Sequence, residues 1–168
     1  GEYWDRHRIT GSQRDTPPAL VARVRALQQR NYFEERKAAW RTVRDALDGL
    51  PEPDTKKEAD GWFNHRAQPG ARSYPGHTGS PLDLPAKTLK AGDHGVPGGE
   101  NMMVRSDGSV RYFTVRESAR LQTFPDTFVL HGGWSEAMRQ LGNAVPVNLA
   151  HVVGASVAAQ LAHARQAE

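Results

Sequence analysis

Apolar residues recur at helical spacing in separate stretches of this chain, with a long irregular region between them. Leu20, Val21, Val24 and Leu27 form one stripe over Ala19 to Arg30, and Thr16-Pro17-Pro18 ahead of it supplies an N-cap at Thr16 and Pro near the first helical position. This predicts a helix with one buried face. A second, short helix is predicted over Thr42 to Leu47, capped by Thr42 and stopped by Asp48-Gly49 before Pro51. Val115 to Leu121 reads as a third, with Thr114 three residues ahead of Glu117 in capping-box register and Phe124-Pro125-Asp126 as its end. Ser135 to Leu141 is a fourth, and the last starts near Pro146 and runs toward the end of the chain. In that last helix Leu149, Val152, Val153, Val157 and Leu161 make an apolar stripe flanked by small residues, a face suited to packing on something broad such as a sheet.

Between these helices the pattern breaks down. Pro51 to Glu58 reads as a polar loop, and Pro69-Gly70, Pro75-Gly76 and Thr78-Gly79-Ser80-Pro81 each mark a turn. A short strand is predicted from Lys87 to Ala91. Met102 to Arg105 and Arg111 to Thr114 are predicted to pair as a hairpin around Ser106-Asp-Gly-Ser109, because Asp-Gly favours a tight reversal.

Composition narrows the chemistry. The 168 residues are 38% hydrophobic and 24% charged, ordinary for a globular chain, and 22 Lys and Arg against 19 Asp and Glu leave a net charge of +3. That balance permits contact with a polyanion. There is no Cys, so neither a disulfide nor a Cys-ligated zinc can form, and the seven His residues show no short paired spacing; a metal site is not expected. The chain has no unbroken run of 18 apolar residues and no signal-peptide pattern at its start, so a cytoplasmic protein without membrane contact is expected.

Candidate sites lie in four segments. Arg116, Glu117, Arg120 and Gln122 taken alone describe an amphipathic helix with a salt-bridged polar face. Gly142-Asn143-Ala144-Val145-Pro146 taken alone is a turn, yet at the start of a helix its Asn143 side chain and backbone N–H groups could bond a ligand. Pro85 to Met102 is rich in Gly, which lets backbone approach a ligand closely, and Thr88 offers a hydroxyl suited to a phosphate oxygen. Asn64-His65, Pro69 to Tyr74 and Gly76 to Ser80 gather residue types that bond phosphates and base edges, or else form a solvated surface loop.

Read together, two of these segments are more specific than any of their residues. Tyr112 to Asp126, followed by Arg139 to Ala150, resembles the ninth and tenth motifs of DNA (cytosine-5)-methyltransferases almost letter for letter. The resemblance implies an α+β chain: an irregular, loop-rich target-recognition region with short strands over residues 1–110, then C-terminal helices over 111–168 that would complete an α/β S-adenosylmethionine-dependent methyltransferase domain. Arg116, Glu117, Arg120 and Gln122 would then be organising residues. Asn143 and Ala144 would line the S-adenosyl-L-methionine pocket, and Ala144, which stands where some members carry Ser, would have only backbone contact to offer. Thr88, Lys90, Arg72, Gly95 and Gly98 would contact double-stranded DNA, the first three chiefly through phosphates.

The same resemblance makes an absence informative. The family's reaction needs a cysteine thiolate to attack C6 of cytosine, and its Gly-rich cofactor turn, Pro-Cys loop, Glu-Asn-Val and Gln-Arg-Arg segments are not found here, so no catalytic residue is expected in this chain. An N-terminal catalytic half or subunit is the expected partner, in a bacterial or phage, nucleoid-associated setting such as restriction-modification or epigenetic marking. The first residue is Gly, as in an excised or truncated product. A stand-alone DNA-binding module and an inactive truncation product are the alternatives.

Overall fold

In the computed structural model, residues 2–14, 16, 18–29, 40–91 and 99–166 are described, and the chain divides into two units, Gly1–Ala39 and Trp40–Glu168. The first holds helices α1 (Glu2–Arg6) and α2 (Pro18–Gln29), with a 3₁₀ turn at Gly11–Gln13. Arg14 fastens this turn, its guanidinium donating to the Ile9 carbonyl and to Asp5, both at 2.8 Å. α2 is described from Pro18, and the residue that joins it to Thr16, the expected N-cap, lies outside the described residues. Leu20 and Val21 are half-buried, while the side chains of Val24 and Leu27 lie outside the described residues.

The second unit contains α3 (Val43–Leu47), strands β1 (Ser80–Pro81), β2 (Met102–Val104) and β3 (Val110–Tyr112), then α4 (Val115–Leu121), α5 (Trp134–Asn143) and α6 (Val147–Gln166). The expected capping box of Thr114 with Glu117 forms, and Thr42, expected as an N-cap, forms one too with Asp45. The predicted hairpin is present, with Met103 opposite Arg111, and its turn is closed by Arg105 N–H to the Ser109 carbonyl at 2.8 Å. The pattern of the chain did not reveal β1, which pairs in parallel with β2 along its edge. Pro81 is tolerated on an edge strand because no partner needs its missing N–H. Gly79 ahead of it has φ +79, and a Cβ there would sit 3.0 Å from Val104 Cγ2.

Lys87 to Ala91 is not a strand, contrary to expectation. Its hydrogen bonds go to side chains instead of a ladder. The Ser80 hydroxyl accepts from Lys87 N–H at 3.0 Å, and the Asn101 carboxamide takes both backbone polar atoms of Lys90, accepting at 3.3 Å and donating at 3.4 Å. The segment is nevertheless extended in its burial, with Leu89 in the core between exposed Thr88 and Lys90. We call it the strap.

The core gathers Leu89, Met103, Phe113, Ala119, Met138 and Leu141 from the strap, the hairpin, α4 and α5. Beside this core α4 carries a charged residue with no exposed surface. Arg116 donates to the carbonyls of Phe63 at 3.0 Å, Pro125 at 3.3 Å and Phe128 at 2.8 Å, so a guanidinium denied water bonds to three peptide oxygens. Burial lowers its pKa, and the charge of Asp126 works against that fall. Beside it Glu117 faces the other way, accepting both arms of Arg111 at 2.7 Å and the Thr114 N–H at 2.8 Å. Burial alone would lower the pKa of Arg111; the Glu117 hydrogen bond and the charges of Glu117 and Glu52 outweigh it and raise it.

Gly142, in the last turn of α5, lies against the strap. A Cβ there would come within 2.7 Å of Ala91 N and 2.8 Å of the Lys90 carbonyl carbon, so backbone meets backbone with no room for a side chain. By contrast α6 is bare. None of its residues is buried, and Leu149, Val152, Val153, Val157 and Leu161 are 53% to 63% exposed. The stretch Trp134–Gln166 also holds an 18-residue window of mean hydropathy 1.4, enough by length and composition alone to cross a membrane, although the chain has no unbroken apolar run of that length.

Replacing Arg116 with Met should destabilise this chain by about 2 kcal/mol or more, because the Phe63 and Phe128 carbonyls lose their donor at about 1–3 kcal/mol each, while the Pro125 carbonyl keeps the Phe128 N–H. Urea unfolding measures it, and a loss below about 1 kcal/mol would show that these bonds do not hold the unit together.

For Gly142→Ala two effects compete. Helix propensity favours Ala by about 1 kcal/mol, while overpacking against fixed backbone costs about 1–3 kcal/mol. The variant should melt lower and shift the Lys90 and Ala91 amide resonances; a higher melting temperature contradicts the close approach.

The Asp126 carboxyl is held below its ordinary pKa first by hydrogen bonds from Arg120, opposed by partial burial and aided by the charges of Arg120 and Arg116. Such a depressed group contributes stability above its unfolded pKa and loses it as pH falls through the folded one. In a carbon-detected titration Arg120→Gln should raise the Asp126 midpoint toward the ordinary value; an unmoved midpoint would assign the shift to another cause.

Candidate functional site

The segment of candidate cofactor contacts is the corner between α5 and α6. Asn143 ends α5 with its side chain exposed, Ala144 is extended at φ −75 and ψ 145, and Val147 opens α6. Several backbone donors here are already engaged. Ala144 N–H bonds the Leu141 carbonyl at 3.2 Å, Val147 N–H bonds the Gln122 carbonyl at 3.0 Å, and Asn148 N–H bonds the Thr123 hydroxyl at 2.9 Å. With its N–H engaged, the backbone contact left to Ala144 is through its carbonyl. Asn143, with a donor and an acceptor on one exposed carboxamide, is the stronger candidate.

Gln122 builds this corner. Its carboxamide donates to the Leu141 carbonyl at 2.9 Å while its own carbonyl receives α6, so one residue at the end of α4 holds both helices. Thr123 follows at φ +59, a left-handed conformation that aims its hydroxyl at the first turn of α6. Arg120 ties the same end to α3, donating to the Asp48 carbonyl at 2.7 Å and lying 5.0 Å from the Trp62 ring centre. These contacts tie the end of α4 to α3, α5 and α6. Of the salt-bridged polar face that Arg116, Glu117, Arg120 and Gln122 taken alone describe, Glu117 and Arg120 make ion pairs, with Arg111 and Asp126, while Arg116 turns to backbone carbonyls.

Of the candidate DNA contacts, Thr88 and Lys90 stand exposed on the strap and Arg72 is exposed on the segment leading to Tyr74. Gly95 and Gly98 lie outside the described residues. The Lys90 ammonium is paired with Glu100 at 3.0 Å, and that bond is the first cause holding the Glu100 carboxyl below its ordinary pKa. Among the described residues no group of three His, Asp or Glu side chains is arranged to hold a metal.

The structure brings the strap and the corner together at Gly142. It also withdraws two residues from the recognition segment. Asn64 pairs its carboxamide with both backbone polar atoms of Leu130 at 2.9 Å, and His65, with no exposed surface, bonds the Thr114 hydroxyl at 2.9 Å and the Pro51 carbonyl at 2.8 Å. Since a carbonyl only accepts, Nε2 carries the proton and Nδ1 accepts from Thr114. Neither side chain is available to a base edge. Asn101 and Glu100 are the positions that sequence reasoning did not assign to the site; only their place just after the Gly-rich run hinted at them.

A sequence model described as C-5 cytosine-specific DNA methylase matches residues 6–159. Among curated proteins, the chain is 44% identical over 79 residues to the Type II methyltransferase M.AplI of Arthrospira platensis, covering 45% of this chain and 22% of that protein. It is 60% identical over 47 residues to M.Eco47II of Escherichia coli, covering 28% and 11%. The longer alignment to M.SacI of Streptomyces achromogenes is 30% identical over 158 residues, covering 78% of this chain and 40% of the relative. The chain thus spans at most about two fifths of these relatives. With its match to the family running through nearly the whole chain, this protein belongs to the C-5 cytosine-specific DNA methylases.

Proposed function

We propose that this chain supplies the DNA target-recognition region and one wall of the S-adenosyl-L-methionine site of a DNA cytosine-5 methyltransferase, and that the thiolate comes from a catalytic half outside this sequence. Residues 1–110 serve recognition, and 111–168 return to the catalytic domain. The observation that carries the reading is the bare apolar stripe of α6, directly continuous with the Asn143 corner. Five such side chains, at about 1.5–3 kcal/mol each on burial, are enough to drive a stable interface.

Protein rather than lipid is the favoured cover. Asn148, His151, Ser156, Gln160 and His163 interrupt the helix with polar groups, while its Ala-rich flank is smooth enough for a sheet. When bound, S-adenosylmethionine supplies the methyl group. This chain's part is to orient it through the Asn143 carboxamide and to hold duplex DNA through Thr88, Lys90 and Arg72, with Gly95 and Gly98 allowing close approach. Because the sequence has no Cys, it contributes no thiolate nucleophile. Arg116, Glu117, Arg120 and Gln122 keep the recognition side and the cofactor side in register. The setting that fits is a bacterial or phage cytoplasm, in restriction-modification or epigenetic marking.

Purified alone, the chain should transfer no labelled methyl group to DNA, and a front-half polypeptide bearing the Pro-Cys and Glu-Asn-Val motifs should restore transfer. Val153→Asp with Val157→Asp should abolish that complementation while leaving the thermal unfolding of the rest unchanged. Complementation that survives both charges refutes the α6 interface, and activity of the chain alone refutes the division of labour.

A further inference from the structure

The strap fixes the backbone of Lys90 unusually well for an exposed residue. Asn101, fully buried, bonds its N–H and its carbonyl; Gly142 closes on the next peptide; Leu89 is sunk in the core one residue before. Only the side chain is left to move. Its ammonium meets Glu100 at 3.0 Å, and the two partners differ in freedom: the Lys90 side chain is 59% exposed and that of Glu100 only 19%. Glu100 Oε2 is buried and accepts no hydrogen bond among the described residues, with His77 Nδ1 at 3.8 Å.

We propose that Glu100 is a specificity-determining residue, a fixed counter-ion that occupies the Lys90 ammonium until a DNA phosphate displaces it; this rests on the reading of the strap as a DNA contact. The physics is an exchange. A lysine with no anchored partner attracts any polyanion, and phosphate contacts dominate affinity without reading sequence. With Glu100 in place, a phosphate must replace a carboxylate that cannot follow the ammonium outward, because Asn101, its neighbour in the same 3₁₀ turn (Gly99–Asn101), grips the strap. An ion pair this exposed is weak enough to be broken by a well-placed phosphate, yet it lowers the yield from a poorly placed one. Glu100 therefore penalises loose complexes more than docked ones.

The test is a double-mutant cycle in the full-length enzyme that carries this chain, read by fluorescence anisotropy on a mixed-sequence duplex over a series of salt concentrations. Lys90→Met should weaken binding and flatten the salt slope by about one. Glu100→Gln should tighten binding by about twofold to fivefold, the range over which an exposed ion pair competes, and should have no such effect in the Lys90→Met background. An equal gain in both backgrounds would make Glu100 a general negative charge and overturn the proposal. If Lys90→Met leaves affinity and slope unchanged, the strap is not a DNA contact and the underlying reading fails first. As a readout that a merely structural role would not move, the Lys90 ammonium nitrogen should shift in wild type on adding duplex and shift less in Glu100→Gln; equal shifts count against the exchange.

Discussion

Everything in the second unit depends on how α4 disposes of two charges that have no access to water. Arg116 and Glu117 are adjacent, so a helix must send them in directions about 100° apart, and each finds a different set of partners. Arg116 gathers the carbonyls of the 63–64 turn and the 125–128 turn, while Glu117 fixes the hairpin through Arg111 and the helix start through Thr114. A seven-residue helix would be marginal by itself. Here it is the post to which a loop, a sheet and two helices are tied, and the buried charges select one arrangement because an unmet guanidinium or carboxylate in the core costs far more than a misplaced methyl.

What could be read in the sequence was what local chemistry determines. Thr42 and Thr114 cap where their spacing to Asp45 and Glu117 says they must, and Asp107-Gly108 reverses the hairpin where the turn requires a positive φ. The α5 and α6 boundaries follow from Pro146 and the apolar rhythm. The failures share one cause. At Lys87 to Ala91, at Asn64 and at β1 a distant side chain or strand replaces the neighbour that a local pattern would name: Asn101 for the strap, Asn64 for Leu130, Met103 for Ser80. No periodicity records a carboxamide acting as a strand from elsewhere in the chain.

For the candidate site the division is similar. The motif residues were legible because their letters match a family; in the structure Arg120 and Gln122 hold α3, α5 and α6 to one helix end. Ala144 was less so. Its N–H belongs to Leu141, a fact about the corner's backbone that side-chain identities do not encode. His65 misled for the opposite reason: a polar letter in a turn-rich segment suggested an outward role, but the Pro51 carbonyl and the Thr114 hydroxyl were waiting inside.

The contact at Gly142 bears on which parts of this chain can change independently of one another. Two backbones in direct touch leave no side chain to absorb a mismatch, so a change in the path of the strap must be answered by a change in the last turn of α5. The Ser80 hydroxyl carries the same constraint back to β1 through the Lys87 N–H, so from Ser80 onward the path of the chain is held at both ends of the strap. Length and sequence are freer to vary before β1, where neither contact reaches.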